Sequence, residues 1–295
     1  MITATTVAEL REVLAAERRE GGTVGFVPTM GYLHPGHASL VERAATECST
    51  VVASVFVNPL QFAAGEDLET YPRDPEGDAR TLEAAGCDVM LLPSVDEMYP
   101  HGQAGMLTTV SVAELSTRWE GAARPTHFAG VCTVVAKLFH MVGECRAYFG
   151  EKDWQQVAVV SRMVEDLSIP VTVVGCPVVR EADGLAMSSR NVRLTPAERA
   201  DAPVVQRALR TGADLVAAGE TDAAVVRAAM SQVVANVPAA TIDYLEPVDP
   251  ATLEPVDRTD RPVRLIAAVQ LGSVRLLDNV AAGPGGTADA PGGTA

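Results

Sequence analysis

Short valine-rich runs alternate with amphipathic helical patterns through roughly the first 180 residues, and this alternation constrains the fold more than any other feature. The runs are continuously apolar, which is typical of strands that are buried on both faces. Such strands, separated by helices, predict a parallel sheet with helices on both sides. The predicted strands are Val24–Val27, Val51–Val57, Val89–Leu92, Ala147–Phe149 and Val171–Val174, and the predicted helices are one capped by Thr6 and running to Arg19, then Pro35–Cys48, Pro75–Ala85, Val131–Val142 and Trp154–Leu167.

The pattern changes after Asn191. Thr195 and Pro196 are typical of a helix start, and the predicted helix runs to Ala218 and stops at Gly219. A second helix is predicted from Asp222 to Ala235, and three strands follow at Ile242–Leu245, Val263–Val269 and Val274–Leu277, the last two joined by a hairpin at Leu271-Gly272-Ser273. We therefore predict an α/β fold with a Rossmann-like parallel sheet in residues 1–186, a smaller α+β domain in residues 187–280 and a disordered Gly/Ala/Pro tail in residues 281–295.

The composition narrows the class of partner. A net charge of −15 argues against a nucleic-acid partner, which needs a basic face, but it leaves room for a small anionic substrate in a locally positive cleft. The five cysteines are scattered without a C-x-x-C pair, so neither a disulfide framework nor a zinc site is indicated. The N-terminus has no signal-peptide pattern and no apolar run reaches the length of a membrane span. We expect a cytoplasmic protein that does not bind a membrane.

The segment Pro28–His37 follows the first predicted strand and leads into a helix. A helix N-terminus presents unpaired N–H groups and a partial positive charge, so it is a natural phosphate site. His34 and His37 lie there, three residues apart, and can donate hydrogen bonds to one phosphate chain. A metal pair or two ordinary loop histidines would also fit this spacing. A zinc-protease site is disfavoured because the spacing is not i, i+4 and no Glu lies between the histidines.

Two further polar segments lie later in the chain. Gly150–Gln156 joins a predicted strand to a helix, and its Lys152 is a point charge that can reach phosphate, with Asp153 as a helix cap and Gln156 one turn into the helix. Asp183–Asn191 combines two hydroxyls with a guanidinium beside a glycine, which suits a phosphate-binding loop. A domain linker explains the composition of the second segment equally well.

Several single residues have both a functional and a structural interpretation. Asn58 and Gln61 are neutral amides at a strand end that can hold a hydroxyl or carboxylate, or simply cap a turn. His127 precedes the most apolar helix and is compatible with a structural role. Three acidic residues at the start of a predicted helix are possible magnesium contacts: Asp74, Glu76 and Asp78. Exposed carboxylates at a helix start are usually there because they interact favourably with the helix dipole.

Taken together, these segments resemble the pantothenate synthetase (pantoate–beta-alanine ligase) family of the nucleotidyltransferase superfamily, which includes class I aminoacyl-tRNA synthetases. Pro28–His37 resembles the family's HIGH motif, and Asp183–Asn191 resembles the KMSKS loop of the synthetases. Further blocks match in order at Phe56–Phe62, Arg124–Val131 and Phe149–Asp153, with weaker signatures at Ile242–Glu246 and Arg275–Asn279. The five main blocks cover residues 24 to about 194, and five blocks in order are highly specific.

The resemblance implies ATP-dependent condensation of pantoate with beta-alanine through a pantoyl adenylate, with magnesium as ion and a homodimer as assembly. His37 is the proton donor on the family pattern, and His34 aids phosphate binding. The implied ATP-binding residues are Met30, Gly31, Tyr32, Leu33, His34, Pro35, Gly36, His37, Gly150, Glu151, Lys152, Asp153, Val179, Met187, Ser188, Ser189 and Arg190, of which Lys152, Ser188, Ser189 and Arg190 join the two histidines as catalytic residues. Gln61 and Gln156 are implied to bind substrate.

The chain departs from the synthetases at one point. The run Ala186–Arg190 contains no lysine, unlike KMSKS, so Lys152 from another loop is the obvious cation for the β- and γ-phosphates. A tRNA-charging enzyme is disfavoured because the chain is short and acidic. A cytidylyltransferase would share the first motif, and a non-catalytic nucleotide-binding module is a third class of function. Retention of His34, His37, Lys152 and Ser188–Arg190 argues against the non-catalytic module.

Overall fold

The computed structural model of the chain describes residues 1–63, 65–66 and 68–286. It divides into two compact units. The N-terminal unit comprises Met1–Gly150 and Gln155–Cys176, and the C-terminal unit comprises Glu151–Trp154 and the chain from Pro177 onward. The division after Cys176 lies before the predicted boundary at residue 186, and the short segment Glu151–Trp154 belongs to the C-terminal unit although it lies far earlier in sequence.

The N-terminal unit is built on a six-stranded sheet in which every neighbouring pair is parallel. The order of its strands is β1-β4-β3-β2-β5-β6. This confirms the predicted fold class, although β1, with only three residues, is too short for a hydrophobic period to show it. The strands are β1 Ile2–Ala4, β2 Val24–Thr29, β3 Thr50–Val55, β4 Val89–Leu91, β5 Cys145–Gly150 and β6 Val171–Cys176, and the helices are α1 Val7–Arg19, α2 Pro35–Glu47, α3 Pro75–Ala84, α4 Val95–Met98, α5 Glu120–Ala123, α6 His127–Val142 and α7 Trp154–Asp166.

Local sequence explains the ends of these elements. Thr6 caps α1, and the reciprocal bonds between Thr6 and Glu9 form the predicted capping box. The prediction ended β2 at Val27, but the strand continues through Pro28, which lies opposite Ser54 of β3. A proline is tolerated there because the pairing of β2 with β5 covers only Gly25 and Phe26, so Pro28 is paired with β3 on one side and with no strand on the other.

The strand order places a topological switch between β2 and β5. The chain adds β3 and β4 on one side of β2, and later adds β5 and β6 on the other side. In open parallel sheets, ligands bind in the crevice at the carboxyl ends of the strands next to such a switch. The segment Met30–His37 leaves the carboxyl end of β2, and Gly150 ends β5, so both lie at this edge.

As far as residue 286, the C-terminal unit contains three α-helices and an antiparallel sheet in the order β7-β8-β9. The single helix predicted from Pro196 to Ala218 is wrong, because Pro203 lacks the N–H that a continuous helix needs and two helices form instead. The predicted hairpin is confirmed, with Gly272 at a φ of +57° in its two-residue turn. The elements are α8 Pro196–Asp201, α9 Val204–Ala217, α10 Ala223–Ala235, β7 Ala240–Val248, β8 Val263–Leu271 and β9 Val274–Ala282.

The predicted tail begins too early. Ala281 and Ala282 are still paired in β9, opposite Arg264 and Val263 of β8, and Ala282 is buried. Alanine carries little strand signal of its own, so the sheet pairing decides the end of the strand. Residues 283–286 form a turn closed by a bridge between Gly283 and Gly286, and residues 287–295 of the predicted tail lie outside the described residues.

Each unit has its own hydrophobic core. Two clusters lie in the N-terminal unit, and the larger one includes buried residues contributed by α6 and the buried positions of α1 and α7. A third cluster, formed by α9, α10 and the three-stranded sheet, lies in the C-terminal unit. Four cysteines are buried, as expected for apolar fillers: Cys87, Cys132, Cys145 and Cys176. None of the helices formed by residues 1–63, 65–66 and 68–286 combines the length and apolar content needed to cross a bilayer.

Candidate active site

The turn that follows β2 is held in shape by Asp78 of α3. The backbone N–H of Tyr32 donates to Asp78 Oδ2 at 3.0 Å, and that of Leu33 donates to Oδ1 at 2.7 Å. Gly31 has a φ of +82°, and a Cβ there would lie 2.8 Å from Asp78 Oδ2, so the turn requires glycine. Burial raises the pKa of Asp78, and the two backbone hydrogen bonds oppose that shift.

The interpretation of Asp78 as an exposed carboxylate or a magnesium contact is therefore not supported. Its side chain is only 2% exposed and both oxygens bind the turn. Asp74 caps α3 by accepting a bond of 3.0 Å from the N–H of Gly77, and Glu76 is exposed as expected. The sequence could not separate the three carboxylates because the partner of Asp78 lies more than forty residues away in the chain.

The two histidines form a reciprocal cap at the start of α2. His34 is the N-cap and its Nδ1 accepts a hydrogen bond of 3.1 Å from the N–H of Gly36. His37 Nδ1 accepts one of 3.3 Å from the N–H of His34, and the ring centroids lie 4.0 Å apart. A neutral imidazole that accepts at Nδ1 carries its proton at Nε2. Both Nε2 atoms are therefore hydrogen-bond donors at a helix N-terminus, where the helix dipole favours an anion.

Gln61 lies in a short 3₁₀ turn after β3, and its side-chain amide has a defined orientation. Asn58 Nδ2 donates to Gln61 Oε1 at 3.1 Å, which assigns the oxygen to that side. Gln61 Nε2 then lies against Met30 Sδ, a weak acceptor. Asn58 is itself fixed by a bond of 2.7 Å from the hydroxyl of Tyr99. Gln61 is buried, and buried amide donors are normally hydrogen-bonded. An oxygen acceptor beside Met30 would therefore satisfy this donor better than the sulfur does.

The main chain of Gln61 is held by the start of α6. Its carbonyl accepts from Arg124 Nη2 at 3.2 Å and lies 3.0 Å from His127 Nδ1. His127 Nε2 faces Arg124 Nη1, so the ring is neutral with its proton on Nδ1. Burial and the nearby guanidinium lower the pKa of His127. A Cβ on Gly130 would lie 2.3 Å from the Leu60 carbonyl oxygen, so α6 approaches this turn closely enough to require glycine.

A cavity of about 280 Å³ opens in the N-terminal unit. Met30 and Asp78 contribute to its wall, and the carboxyl ends of β3 and β4 supply apolar surface. The cavity therefore lies at the sheet edge where ligands of parallel sheets bind. Its other lining residues include Phe56, Arg73, Asp74, Leu92 and Ser94.

The remaining predicted ATP-binding residues, apart from Gly150, belong to the C-terminal unit. Lys152 lies in a 3₁₀ turn, Glu151–Asp153, and its Nζ is 3.4 Å from Asp153 Oδ1. The N–H of Met187 donates to the carbonyl of Val179 at 3.0 Å, so these two predicted residues are neighbours in one hairpin. Gly184 turns this hairpin with a φ of +94°. Ser188 caps the following 3₁₀ segment, which contains Ser189 and Arg190.

The structure thus groups the predicted residues into two sets. Met30–His37, Gln61 and Gln156 lie in the N-terminal unit. Gln156 is half-buried on α7, and the described residues supply no hydrogen bond to its side chain. Its neighbour Gln155 instead binds the backbone of Leu115, Arg118 and Glu120. Sequence reasoning missed Tyr99 and Arg264 and gave Asn279 no role, because isolated polar residues far from a motif carry no local signal.

Comparison with known proteins identifies the family. The family model for pantoate-beta-alanine ligase matches residues 2–281. This chain belongs to the pantoate-beta-alanine ligase family. It is 52% identical to a pantothenate synthetase of Sinorhizobium medicae over 280 residues, which cover 95% of each chain. The predicted family membership is thus confirmed, and the chain is an enzyme of the ligase class.

Solved structures of the family share the fold. A pantothenate synthetase from Thermus thermophilus superposes with a TM-score of 0.89 at 52% identity, covering 95% of this chain and 99% of that one. A pantoate-beta-alanine ligase from Francisella tularensis, complexed with beta-gamma ATP and beta-alanine, has a TM-score of 0.77 at 32% identity and covers 95% and 97%. The chain therefore shares its architecture with solved members of the family.

Proposed function

We propose that this ligase condenses (R)-pantoate with beta-alanine in two steps through a pantoyl adenylate. In the first step a carboxylate oxygen of pantoate attacks the α-phosphorus of ATP, and the bond to pyrophosphate breaks. In the second step the amine of beta-alanine attacks the acyl carbon, loses a proton and displaces AMP to give pantothenate. Family membership supports the overall reaction, and the Francisella complex supports ATP as the co-substrate.

The observation that carries this proposal is the reciprocal cap of His34 and His37. Their Nδ1 atoms bind backbone N–H groups, so both Nε2 atoms are donors at the N-terminus of α2. The first step gathers negative charge on the α-phosphate and on the departing pyrophosphate. Donors that are already oriented stabilise such charge without reorganising, which is usually the largest contribution to catalysis. We assign both histidines to the phosphate chain, with His37 as proton donor.

We assign Gln61 and Gln156 to substrate binding. The orientation of the Gln61 amide presents a donor to the substrate, which suits the carboxylate or hydroxyl oxygens of pantoate. The apolar wall near Met30 suits the hydrocarbon part of the same molecule. Gln61 is held through both its side chain and its carbonyl, so little conformational entropy is lost when it binds.

We assign the set in the C-terminal unit, together with Gly150, to ATP. Lys152 supplies the cation for the β- and γ-phosphates, since the segment Met187–Arg190 contains no lysine. Ser188, Ser189 and Arg190 donate further hydrogen bonds to the phosphates, and Val179 contacts the base through its backbone. The remaining members of the ATP-binding set are Gly150, Glu151, Asp153 and Met187.

A magnesium ion fits this reaction as a companion of ATP. Among residues 1–63, 65–66 and 68–286, no group of three or more His, Cys, Asp or Glu is arranged to hold a metal. Mg²⁺ typically binds through substrate phosphates, waters and one or two carboxylates, so a protein cage is not required. When bound, the ion neutralises charge on the phosphates. We further propose a cytoplasmic homodimer that binds neither nucleic acid nor membrane.

The decisive experiment is pantoate-dependent exchange of labelled pyrophosphate into ATP without beta-alanine. Exchange that requires both pantoate and magnesium is expected. Without beta-alanine only the adenylate half-reaction can proceed, and its reversal carries labelled pyrophosphate into ATP. Folded protein that binds ATP without exchange would instead mean that the two histidines serve another acceptor. Addition of beta-alanine should then release AMP in amounts equal to the pantothenate formed.

A further inference from the structure

The turn that carries Lys152 is bound by a polar cluster of the C-terminal unit, centred on Asn279 of β9. Asn279 Nδ2 donates to the carbonyl of Glu151 at 2.8 Å and to that of Lys152 at 2.9 Å. Its Oδ1 accepts from Arg264 Nε at 2.6 Å. Asn279 is only 3% exposed. One side-chain amide therefore uses both of its donors on two consecutive carbonyls of this turn.

Arg264 holds the turn at two further points. Its Nη2 donates to Glu151 Oε2 at 2.8 Å, and its guanidinium lies 3.9 Å from the centroid of the Trp154 ring. The indole N–H of Trp154 donates to the carbonyl of Pro250 at 3.0 Å. The residues on either side of Lys152 are thus anchored, and the anchors come from the sheet of the C-terminal unit and from Pro250 rather than from the strand that precedes the turn.

Asp278 fixes the other side of Asn279. It accepts two bonds from Arg180, at 2.6 and 3.0 Å, and its Oδ1 accepts the backbone N–H of Asn279 at 2.8 Å. Arg264 and Asp278 are both nearly inaccessible to solvent. Burying two ionised side chains is costly unless every group is paired, and a fully paired network is rigid. A connection that only joined a strand to a helix would need no such network.

We propose that Asn279 is a positioning residue that places the ammonium group of Lys152 for the phosphates of ATP. This inference rests on the proposed role of Lys152. By holding the carbonyls of Glu151 and Lys152, Asn279 fixes the peptide on both sides of the Lys152 Cα and so the direction in which the side chain leaves the turn. Displacement of a catalytic group by about 1 Å can cost about a hundredfold in rate.

The test is a double-mutant cycle with Asn279→Asp and Lys152→Ala. Aspartate has nearly the shape of asparagine and keeps an acceptor for Arg264, but its ionised form has no N–H for the two carbonyls. We expect Asn279→Asp to lower kcat for pyrophosphate exchange about tenfold to a hundredfold, while the KM for pantoate changes less than about twofold. In the Lys152→Ala background the same substitution should change kcat less than about twofold, because Asn279 acts through Lys152.

A matched control is Thr259→Val, which removes a buried bond of 2.7 Å to the Glu220 carbonyl in the same unit without touching this turn. It should lower the urea midpoint and leave kcat within about twofold. If Asn279→Asp is unstable, Asn279→Ser enters the same cycle. If exchange by the two variants that carry Lys152→Ala is too slow to measure, the dissociation constant of ATP is measured for all four proteins of the cycle instead.

An equal effect of Asn279→Asp in both backgrounds, in a wild-type chain that catalyses exchange, would overturn the positioning role and leave the proposed function intact. A folded wild-type chain without pantoate-dependent exchange would instead refute the proposed function. The ATP-binding cycle then still tests the inference, since coupling between Asn279 and Lys152 supports it and additivity overturns it.

Discussion

Asn58 donates a hydrogen bond of 3.1 Å to the side-chain oxygen of Gln61 and thereby decides that the amide nitrogen of Gln61 faces Met30. The two residues are only three positions apart, yet one of the bonds that orient Asn58 comes from Tyr99, which is forty-one positions away. Tyr99 and the N–H of Leu60 both donate to Asn58 Oδ1, which leaves Asn58 Nδ2 to donate to Gln61 and to the Gly130 carbonyl.

Tyr99→Phe should raise the KM for pantoate about threefold to tenfold, since a buried hydrogen bond contributes about 0.5–1.5 kcal/mol. The kcat should change less than the KM, because the role we propose for Gln61 is to bind pantoate rather than the reacting phosphate. Steady-state kinetics of pyrophosphate exchange at varied pantoate measures both. In a Gln61→Ala background the effect should vanish.

Tyr148→Phe is the matched control for this prediction. Tyr148 is also fully buried in the N-terminal unit, but its hydroxyl contacts Glu47 and Cys48. The same loss of a hydroxyl should leave the KM for pantoate unchanged. An equal rise in both variants would show that Tyr99 acts through general stability and not through Asn58.

Asp78→Asn should slow the first step and destabilise the turn after β2. The amide of asparagine has one acceptor oxygen, so its NH₂ group faces the N–H of either Tyr32 or Leu33. That N–H loses its hydrogen-bond partner, which lowers the free energy of unfolding by about 1–3 kcal/mol. Urea denaturation gives the loss of stability, and exchange kinetics gives the loss of kcat. Asp74→Asn should leave the stability nearly unchanged, because asparagine caps a helix as well as aspartate does. Equal effects of the two substitutions would contradict the role of Asp78.

His34→Asn separates the two tasks of this histidine. Asparagine is an excellent N-cap, so its oxygen replaces Nδ1 toward Gly36 and the stability of α2 should be kept within about 1 kcal/mol. The Nε2 donor is lost, and kcat for exchange should fall about a hundredfold to a thousandfold, as for loss of one preorganised donor. Thermal unfolding and exchange rates measure the two effects. A variant with wild-type kcat would mean that His34 only caps the helix.

His127 should contribute to a loss of stability on acidification. Its pKa is lowered in the folded chain, so below about pH 6.5 the unfolded chain binds a proton that the folded chain does not. The contribution of His127 to the free energy of unfolding is complete above the pKa of histidine in the unfolded chain. It is lost as the pH falls below that value, with a slope of at most about 1.4 kcal/mol per pH unit.

His127→Asn should flatten the stability profile in this range, because an amide does not titrate but keeps a donor for the Gln61 carbonyl. The free energy of unfolding in urea, measured from about pH 7.5 to about pH 5, gives both profiles. Thr133→Val, on the same helix, removes a buried hydroxyl that accepts from the N–H of Val110 and does not titrate, so it serves as the control and should keep the wild-type slope. Identical slopes for wild type and His127→Asn would contradict the burial of a neutral ring.

Patterns that repeat within a few residues were readable from the sequence. The valine-rich runs predicted the parallel sheet, Thr6 and Glu9 predicted the capping box, and Leu271-Gly272-Ser273 predicted the hairpin. The prediction failed where a pairing partner or a single proline decided the outcome. The end of β2 depends on β3, the end of β9 depends on β8, and Pro203 divides a helix that its periodicity alone would continue.

The sequence by itself determined the fold class and the family and predicted the segments of the candidate site, because strand and helix periods and the spacing of His34 and His37 are local properties of the chain. Only the tertiary structure decided how those groups are held. Asp78 on the turn, Tyr99 behind Asn58, and Asn279 on the carbonyls of Glu151 and Lys152 act across 41 to 128 positions. Their partners are chosen by the packing of elements, and a hydrogen bond between distant residues leaves no periodic trace in either segment.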